Sequence, residues 1–357
     1  MKNQTFREKA EEDQIRWKNR QSELSRLPLG KVKVKGDWKR YKHVLPGKAW
    51  ELNLWLPLRK GGEIQGQDSD LPEYLRKNHV QRHTHSRNLL SSWTLCANLY
   101  FPFGRVPDGR KIISRFLSKL LDENSIEVQS VELEYQDTDP SLSAFVLLGE
   151  ESGKRGSGQT SPDLGIVFTY GAGKKGLMLI ENKYVEHSFY PCSANKKNGS
   201  SEHPVNTDKT RCQDTMKVVK DYDNQCHQSS WGRKYWKQVA ASINLSQIGN
   251  LNYCPARTAG YQLFRQQALA EAIVQSGKYQ LVCSAVAYDS QNEKLVRCLD
   301  RTGIKDAHND GWAALWSRGK ARFVTFNHRQ WVEHVKTMDT KHNWDNWLTY
   351  IHDRYGY

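Results

Sequence analysis

Two apolar runs, DLGIVFTY at 163–170 and LMLIENKY at 177–184, are joined by the six-residue turn GAGKKG. Runs of this length bounded by glycine read as strands buried on both faces. A turn this short joins them as a hairpin. The chain must therefore build a sheet around them and cover both sides of it. Further strands are expected at 126–135 (IEVQSVELEY), at 279–288 (YQLVCSAVAY), placed centrally, and at 321–326 (ARFVTF). Residues 144–148 (AFVLL) are another apolar run. Helical spacing is read at 84–101, 110–122, 233–247, 258–276 and 328–355, with the Ser86 to Asn88 region placed to cap the first of these. The expected fold is α/β, a central mixed β-sheet flanked by helices.

At roughly 150 residues per domain, 357 residues allow one elaborated domain or two ordinary ones. Residues 1–26 are dense in charge and read as an exposed or peripheral helix. Residues 31–60 are basic and aromatic, with Val32 and Val34 alternating with lysines as in a strand. Such a segment either grips phosphates and stacks on bases or is a solvated face with buried anchors. We divide the chain into a basic extension at 1–84, a core at 85–330 with a polar insertion or lid at about 190–232, and a Trp-rich helical tail at 331–357.

Lys and Arg number 53 against 39 Asp and Glu, a net charge of +14. A polyanionic partner is one reading, with nucleic acid the first candidate; an ordinary basic enzyme is the other. No apolar stretch approaches the roughly 20 residues of a spanning helix, and the start lacks a signal-peptide core, so a cytoplasmic location is expected. The seven cysteines are odd in number and form no CxxC pair, the pattern of free thiols in a reducing compartment. Cys192, Cys212, Cys226 and Cys254 with His187, His203 and His227 would be the alternative, a metal cluster, but their spacing fits no zinc pattern.

The chemistry concentrates at 162–184. Residues i and i+2 of a strand share a face, so Glu181 and Lys183 project together. Asp163 opens the preceding strand and, in an antiparallel hairpin, meets the far end of its partner. Two carboxylates and one amine converge at a sheet edge. Asp163 and Glu181 supply hard oxygens for Mg²⁺ (or Mn²⁺), and the ion would acidify a water and balance charge on a phosphate. Lys183 would orient or help deprotonate that water, or stabilise the transition state. An ionic pair at a strand edge is also common without any such role. Here it follows directly on LMLI, where a purely structural strand would more cheaply carry uncharged residues.

The pattern SPDLGIVF…LMLIENKYVE resembles the active-site hairpin of the PD-(D/E)xK, or restriction-endonuclease-like, nuclease superfamily. The resemblance implies metal binding by Asp163 and Glu181 and action of Lys183 on the attacking water. It also implies an upstream acidic ligand, matched by Glu134 in VELEY with Glu132 second, and a helical Gln near the site, matched by Gln262 with Gln266 one turn later. A similar bacterial restriction-like branch combines a Ser-Ser…Cys-x-Asn helix, here Ser91 to Asn98, with an acidic strand and an ExKYxE element, here Glu181 to Glu186. The resemblance covers about 130–190 firmly, 86–103 and 257–290 more loosely, and 1–60 not at all.

What it implies is metal-dependent hydrolysis of phosphodiesters, most naturally in DNA, in a restriction-like or anti-phage role. A regulatory partner protein or homo-oligomer would restrain so toxic an activity. The rival reading is an inactive nucleic-acid-binding module that kept the fold, against which the intact trio stands. A glycosidase with paired carboxylates is disfavoured by the basic balance and by the lysine. GAGKKG lacks the P-loop pattern, though Lys174 and Lys175 remain candidates for backbone phosphate. His79, His83 and His85 read as metal or phosphate ligands or, more plainly, as a solvated loop. Arg265 is open to DNA or to an ion pair near Glu271.

Overall fold

Alternation along the strands sorts the core into two halves. The five strands of the central sheet are β1 Glu127–Leu133, β2 Leu164–Tyr170, β3 Lys174–Asn182, β4 Leu281–Tyr288 and β5 Arg322–Asn327. The computed structural model describes residues 4–195, 200, 202–208 and 210–357. Met178 and Ile180 of β3, Cys283 and Ala285 of β4, and Val324 and Phe326 of β5 enter one apolar cluster. Leu177 and Leu179, Val282 and Val286, and Phe323 enter another on the opposite face. Burial on both faces is why these strands read as continuous apolar runs.

The sheet order is β1-β2-β3-β4-β5. β1, β2 and β3 pair antiparallel, whereas β3–β4 and β4–β5 are parallel. The sheet is therefore mixed and helix-flanked, as expected, with β3 at its centre and β4 beside it in the interior.

The helices that cover it are α1 Phe6–Arg20, α2 Ser92–Leu99, α3 Pro107–Leu121, α4 Tyr261–Gln275, α5 His328–Met338 and α6 Asp345–Tyr355. Helix α4 packs on β3 and β4 on one side of the sheet, while α3 packs on β1 and against α5 on the other. The second side is aromatic. Phe103 stacks on Trp344 with centroids 3.8 Å apart, and Trp347 meets Phe103 edge-on at 4.8 Å.

Several expectations need correction. The helix read from residue 84 starts only at Ser92, because Ser91 is the cap, its Oγ accepting from the Thr94 N–H at 3.2 Å. Residues 144–148, read only as an apolar run, form a short helix, capped by Ser143 and stopped by Gly149 in the left-handed region (φ 62). The N-terminal helix is not peripheral: Gln14 and Trp17 are buried and α1 lies against α6. Residues 233–247 carry short helical pieces at Tyr235–Val239 and Leu245–Ile248 with a 3₁₀ turn between them.

Among the described residues no helix is long and apolar enough to cross a membrane. The basic segment folds as a hairpin pairing Gly30–Val34 with Asp37–Tyr41. It exposes Lys31, Lys33, Lys35, Lys39 and Arg40, and its Trp38 is 64% exposed.

Candidate active site

Strand parity builds the site. Leu164 pairs with Ile180, so one step further along the ladder Asp163 comes opposite Glu181. Leu177 and Leu179 face the α4 side, and Glu181 and Lys183 continue that alternation. They meet Gln262, in the first turn of α4. Lys183 Nζ donates to Glu181 Oε1 at 2.7 Å and to Gln262 Oε1 at 2.8 Å. Asn182, of opposite parity, donates from Nδ2 to the Ser92 carbonyl of α2 at 2.8 Å. Its backbone N–H donates to Asp163 Oδ2 at 2.8 Å.

Lys183 sits just past the end of β3, and its backbone is held on both sides. Its N–H donates to the Ala287 carbonyl at 2.8 Å. Its carbonyl lies 2.9 Å from His328 Nε2, and His328 Nδ1 lies 2.8 Å from the Tyr100 hydroxyl. A carbonyl can only accept, so Nε2 carries the proton and Nδ1 accepts from Tyr100. Burial pushes His328 down to about 4, which keeps the ring neutral and this relay fixed at neutral pH.

The charges are compressed. Glu134, Glu181 and Lys183 are only 5%, 8% and 3% exposed. Burial opposes the Lys183 charge, but Glu181, Glu186 and Asp163 outweigh it and hold the ammonium above its ordinary range. Burial, then Glu181 and Glu134, raise Asp163 well above the usual carboxylate range. Glu134 is pushed up to about 8, by burial first and then by Glu181, against the favourable influence of Ser161, Arg155 and Trp93. The Ser161 hydroxyl and Trp93 indole N–H stand near that carboxylate without closing a hydrogen bond of normal geometry. Three carboxylates gathered inside a buried pocket, two of them raised, form an oxygen-rich site which a divalent cation suits. Among the described residues no group of three or more His, Cys, Asp and Glu side chains is already disposed around an ion.

A family model described as Restriction Endonuclease associating with ARP matches residues 13–356. The chain belongs to that family. No curated protein and no solved structure gives a significant match.

In this restriction-endonuclease family member the two acidic candidates of VELEY separate cleanly. Glu132 pairs with Arg155 at 2.9 Å. Glu134 takes a left-handed backbone (φ 49), and its N–H donates to the Asp163 carbonyl at 3.0 Å, which draws it to the other acids. A Cβ on Gly156, itself at φ +83, would lie 3.2 Å from Glu134 Cγ. The two glutamines separate as well. Gln266 is spent on the sheet, its Nε2 donating to the Leu179 and Ala285 carbonyls at 3.2 and 3.0 Å.

Arg265 is paired with Glu150 at 3.2 Å, not with the Glu271 neighbourhood. Lys174 and Lys175 lie at the turn end of the hairpin, about 20 Å along the strands from Asp163, and do not reach the site. Cys96 of the Ser91–Asn98 helix is buried close enough to feel Asp163, Glu134 and Glu181, after burial itself. Glu186 accepts from the Tyr184 N–H at 2.8 Å. Of the three histidines at 79–85, His83 lies within electrostatic reach of Glu186 and Lys183.

Two residues at the site carry no mark in the sequence. Tyr190, 50% exposed, places its ring 5.6 Å from Lys183 Nζ. His328 holds the Lys183 carbonyl from the start of α5. Neither sits in a motif or a charged run that would single it out.

The acid cluster predicts a pH effect on stability. Glu134 is raised in the fold from 4.5 to about 8, so the unfolded chain sheds its proton first and stability falls as pH rises across that window. His328, lowered from 6.5 to about 4, acts in the opposite sense and only below about pH 6.5. Glu134→Gln is therefore expected to raise the metal-free Tm at pH 8 and flatten its decline from pH 6.5, read by scanning fluorimetry. A decline as steep as in the wild type would place the strain elsewhere.

Proposed function

We propose that the chain is a divalent-metal-dependent nuclease of the PD-(D/E)xK type that hydrolyses phosphodiester bonds in DNA, in a restriction-like or anti-phage role. The observation that carries this reading is Lys183 Nζ, seated between Glu181 Oε1 at 2.7 Å and Gln262 Oε1 at 2.8 Å with Asp163 across the hairpin. Asp163, Glu181 and Glu134 would hold Mg²⁺ or Mn²⁺, and the ion supplies Lewis acidity and a water acidified to near neutral pH. The protein's own groups do the rest. Lys183, protonated, orients the water and lays positive charge where the phosphorane accumulates negative charge. Gln262 fixes the ammonium in line, and His328 and Ala287 lock the backbone beneath it. Asn182 ties the site to α2 through Ser92.

The hairpin at 30–41 supports a role in holding the duplex. Arg87 donates to the Lys31 carbonyl, linking the hairpin to the loop that carries His83. Replacing Lys31, Lys33, Lys35, Lys39 and Arg40 with Gln is expected to weaken binding at low salt. The slope of log K against log salt should fall by about 0.9 for each phosphate left without its cation. An unchanged slope, in a titration from about 50 to 200 mM salt, would remove the hairpin from the binding surface.

The decisive experiment is plasmid cleavage with Mg²⁺ or Mn²⁺ against EDTA. Protein that binds DNA yet cuts neither circular, linear nor single-stranded forms with any divalent ion would be a binding module instead. The family description names an association with ARP, which supports a partner protein. Co-purification of the chain from its own cells, followed by the same assay on the complex, tests whether that partner is needed for cutting.

A further inference from the structure

Cys192, Cys212, Cys226 and Cys254 are 20, 14 and 28 residues apart in sequence, yet all four line one small apolar cavity. All are free thiols. The segments are stitched together by backbone hydrogen bonds: the Cys254 N–H donates to the Cys212 carbonyl at 2.8 Å and the Cys192 N–H to the Ala256 carbonyl at 3.0 Å. Backbone N–H groups stand near each sulfur, short of a hydrogen bond of normal geometry. The N–H of Ala194 faces Cys192, that of Ala256 faces Cys254, and those of Gln228 and Ser229 face Cys226. In these three cases the first donor lies two residues beyond its cysteine, and the His227 N–H serves Cys212. Gln228 Nε2 adds a donor to Cys192 Sγ at 2.9 Å.

Donors gathered on sulfur are wasted on thiols and useful to thiolates. Burial alone drives the other way, pushing Cys192 up to about 12 and Cys226 up to about 11. Arg211 and Arg257 lie close enough to favour charge at Cys212, and two guanidiniums match the net charge of a dication held by four thiolates.

The neighbouring histidines are committed elsewhere. His227 Nε2 donates to the Pro204 carbonyl at 2.8 Å, and its Nδ1 faces Arg211 at 3.1 Å. His203 pairs with Glu151 at 3.3 Å, and His187 is exposed. The segment also needs a staple: between residues 192 and 230 the buried apolar side chains among those described are Ala194 and Val218. A region so poor in core is where a structural metal contributes most to folding.

We propose that Cys192, Cys212, Cys226 and Cys254 form a tetrathiolate site for a soft or borderline divalent cation, zinc first. Among the described residues no three of these side chains stand where they could hold an ion as placed, so the site requires the sulfurs to draw inward on loading. The site anchors the insertion against Tyr261 and Phe264 of α4, the helix that carries Gln262. It is separate from the acidic cluster and stands whether or not that cluster cleaves DNA.

The test uses the full chain purified without chelators in Mg²⁺ buffer. Elemental analysis is expected to find about one zinc per chain, retained in Asp163→Asn and in Glu181→Gln and lost in Cys212→Ser with Cys226→Ser. Growth on cobalt is expected to give the near-ultraviolet thiolate-to-cobalt band and the intense visible bands of tetrahedral Co²⁺. These wild-type readings stand even if the double variant fails to fold. Less than a tenth of an equivalent of zinc, with no cobalt–thiolate band on titrating the reduced protein, overturns the proposal. So does loss of two or four free thiols to disulfides, or zinc that departs with Asp163→Asn.

Discussion

Lys183→Ala is expected to lower metal-supported plasmid cleavage by about 10²–10⁴-fold, the range for a single group that handles protons or developing charge in the transition state. DNA affinity should change little, because phosphate grip is assigned to the exposed hairpin. Lys183→Arg should not rescue the rate. A planar fork cannot reproduce one ammonium shared between Glu181 and Gln262, and the rings of Phe189 and Tyr190 stand 5.7 and 5.6 Å from that nitrogen. Gln262→Ala removes one of two acceptors and is expected to cost about tenfold, through misplacement of Lys183. The measurement is initial rate of supercoil loss, with binding read by fluorescence anisotropy on the same preparations. Full activity in Lys183→Ala would remove the trio from the chemistry, and loss of binding together with cutting would mark a folding defect instead.

The second large effect falls where the two ends of the chain meet. Arg354 is 2% exposed and joins the two ends of the chain. Its guanidinium donates to the Asn53 carbonyl at 2.6 Å, to the Asn53 side chain and to Gln14 Oε1 at 3.2 Å, and Gln14 Nε2 returns a bond to the Arg354 carbonyl at 2.8 Å. It lies 4.3 Å over the Trp17 ring and 4.7 Å over Tyr355. Arg354→Ala leaves the side-chain oxygens of Asn53 and Gln14 without this donor and opens a void against two aromatic rings. We expect a loss of about 3–5 kcal/mol and a fall in Tm on the order of 10 °C, read by a circular-dichroism melt. Limited proteolysis should show α1 becoming the first site of cleavage. A shift under about 2 °C would mean that the aromatic packing, not the guanidinium, holds α1 to α6.

Strands β2, β3 and β4 were legible because burial on both faces leaves a nearly unbroken apolar record, β1 because its apolar residues roughly alternate with polar ones, and Glu181 and Lys183 stood out as charges at the end of β3. Their convergence with Gln262 follows from parity on β3 and from α4 covering that face. The resemblance already put Glu134 ahead of Glu132; the left-handed backbone at residue 134 and the pairing of Glu132 with Arg155 are what no periodicity reports. The short helix at 144–148 was hidden because five apolar residues have no period; only Ser143 and Gly149 punctuate it. The N-terminal helix looked peripheral because its buried face is made of Gln14, Trp17 and Lys18, which are polar or isolated along the sequence. The four thiols could be named together in the sequence, but their spacing fits no zinc pattern, and only the fold brings positions so far apart to one cavity.

The backbone under Lys183 is fastened by residues that the ribosome adds long after the acids. Glu134, Asp163 and Glu181 precede Gln262 by 81 residues or more, Ala287 by over a hundred and His328 by nearly one hundred and fifty. A nascent chain stopped anywhere before residue 328 therefore displays the carboxylates without the clamp that aims the ammonium. Assembly of this geometry waits on α5, so products truncated before residue 328 are expected to be inert.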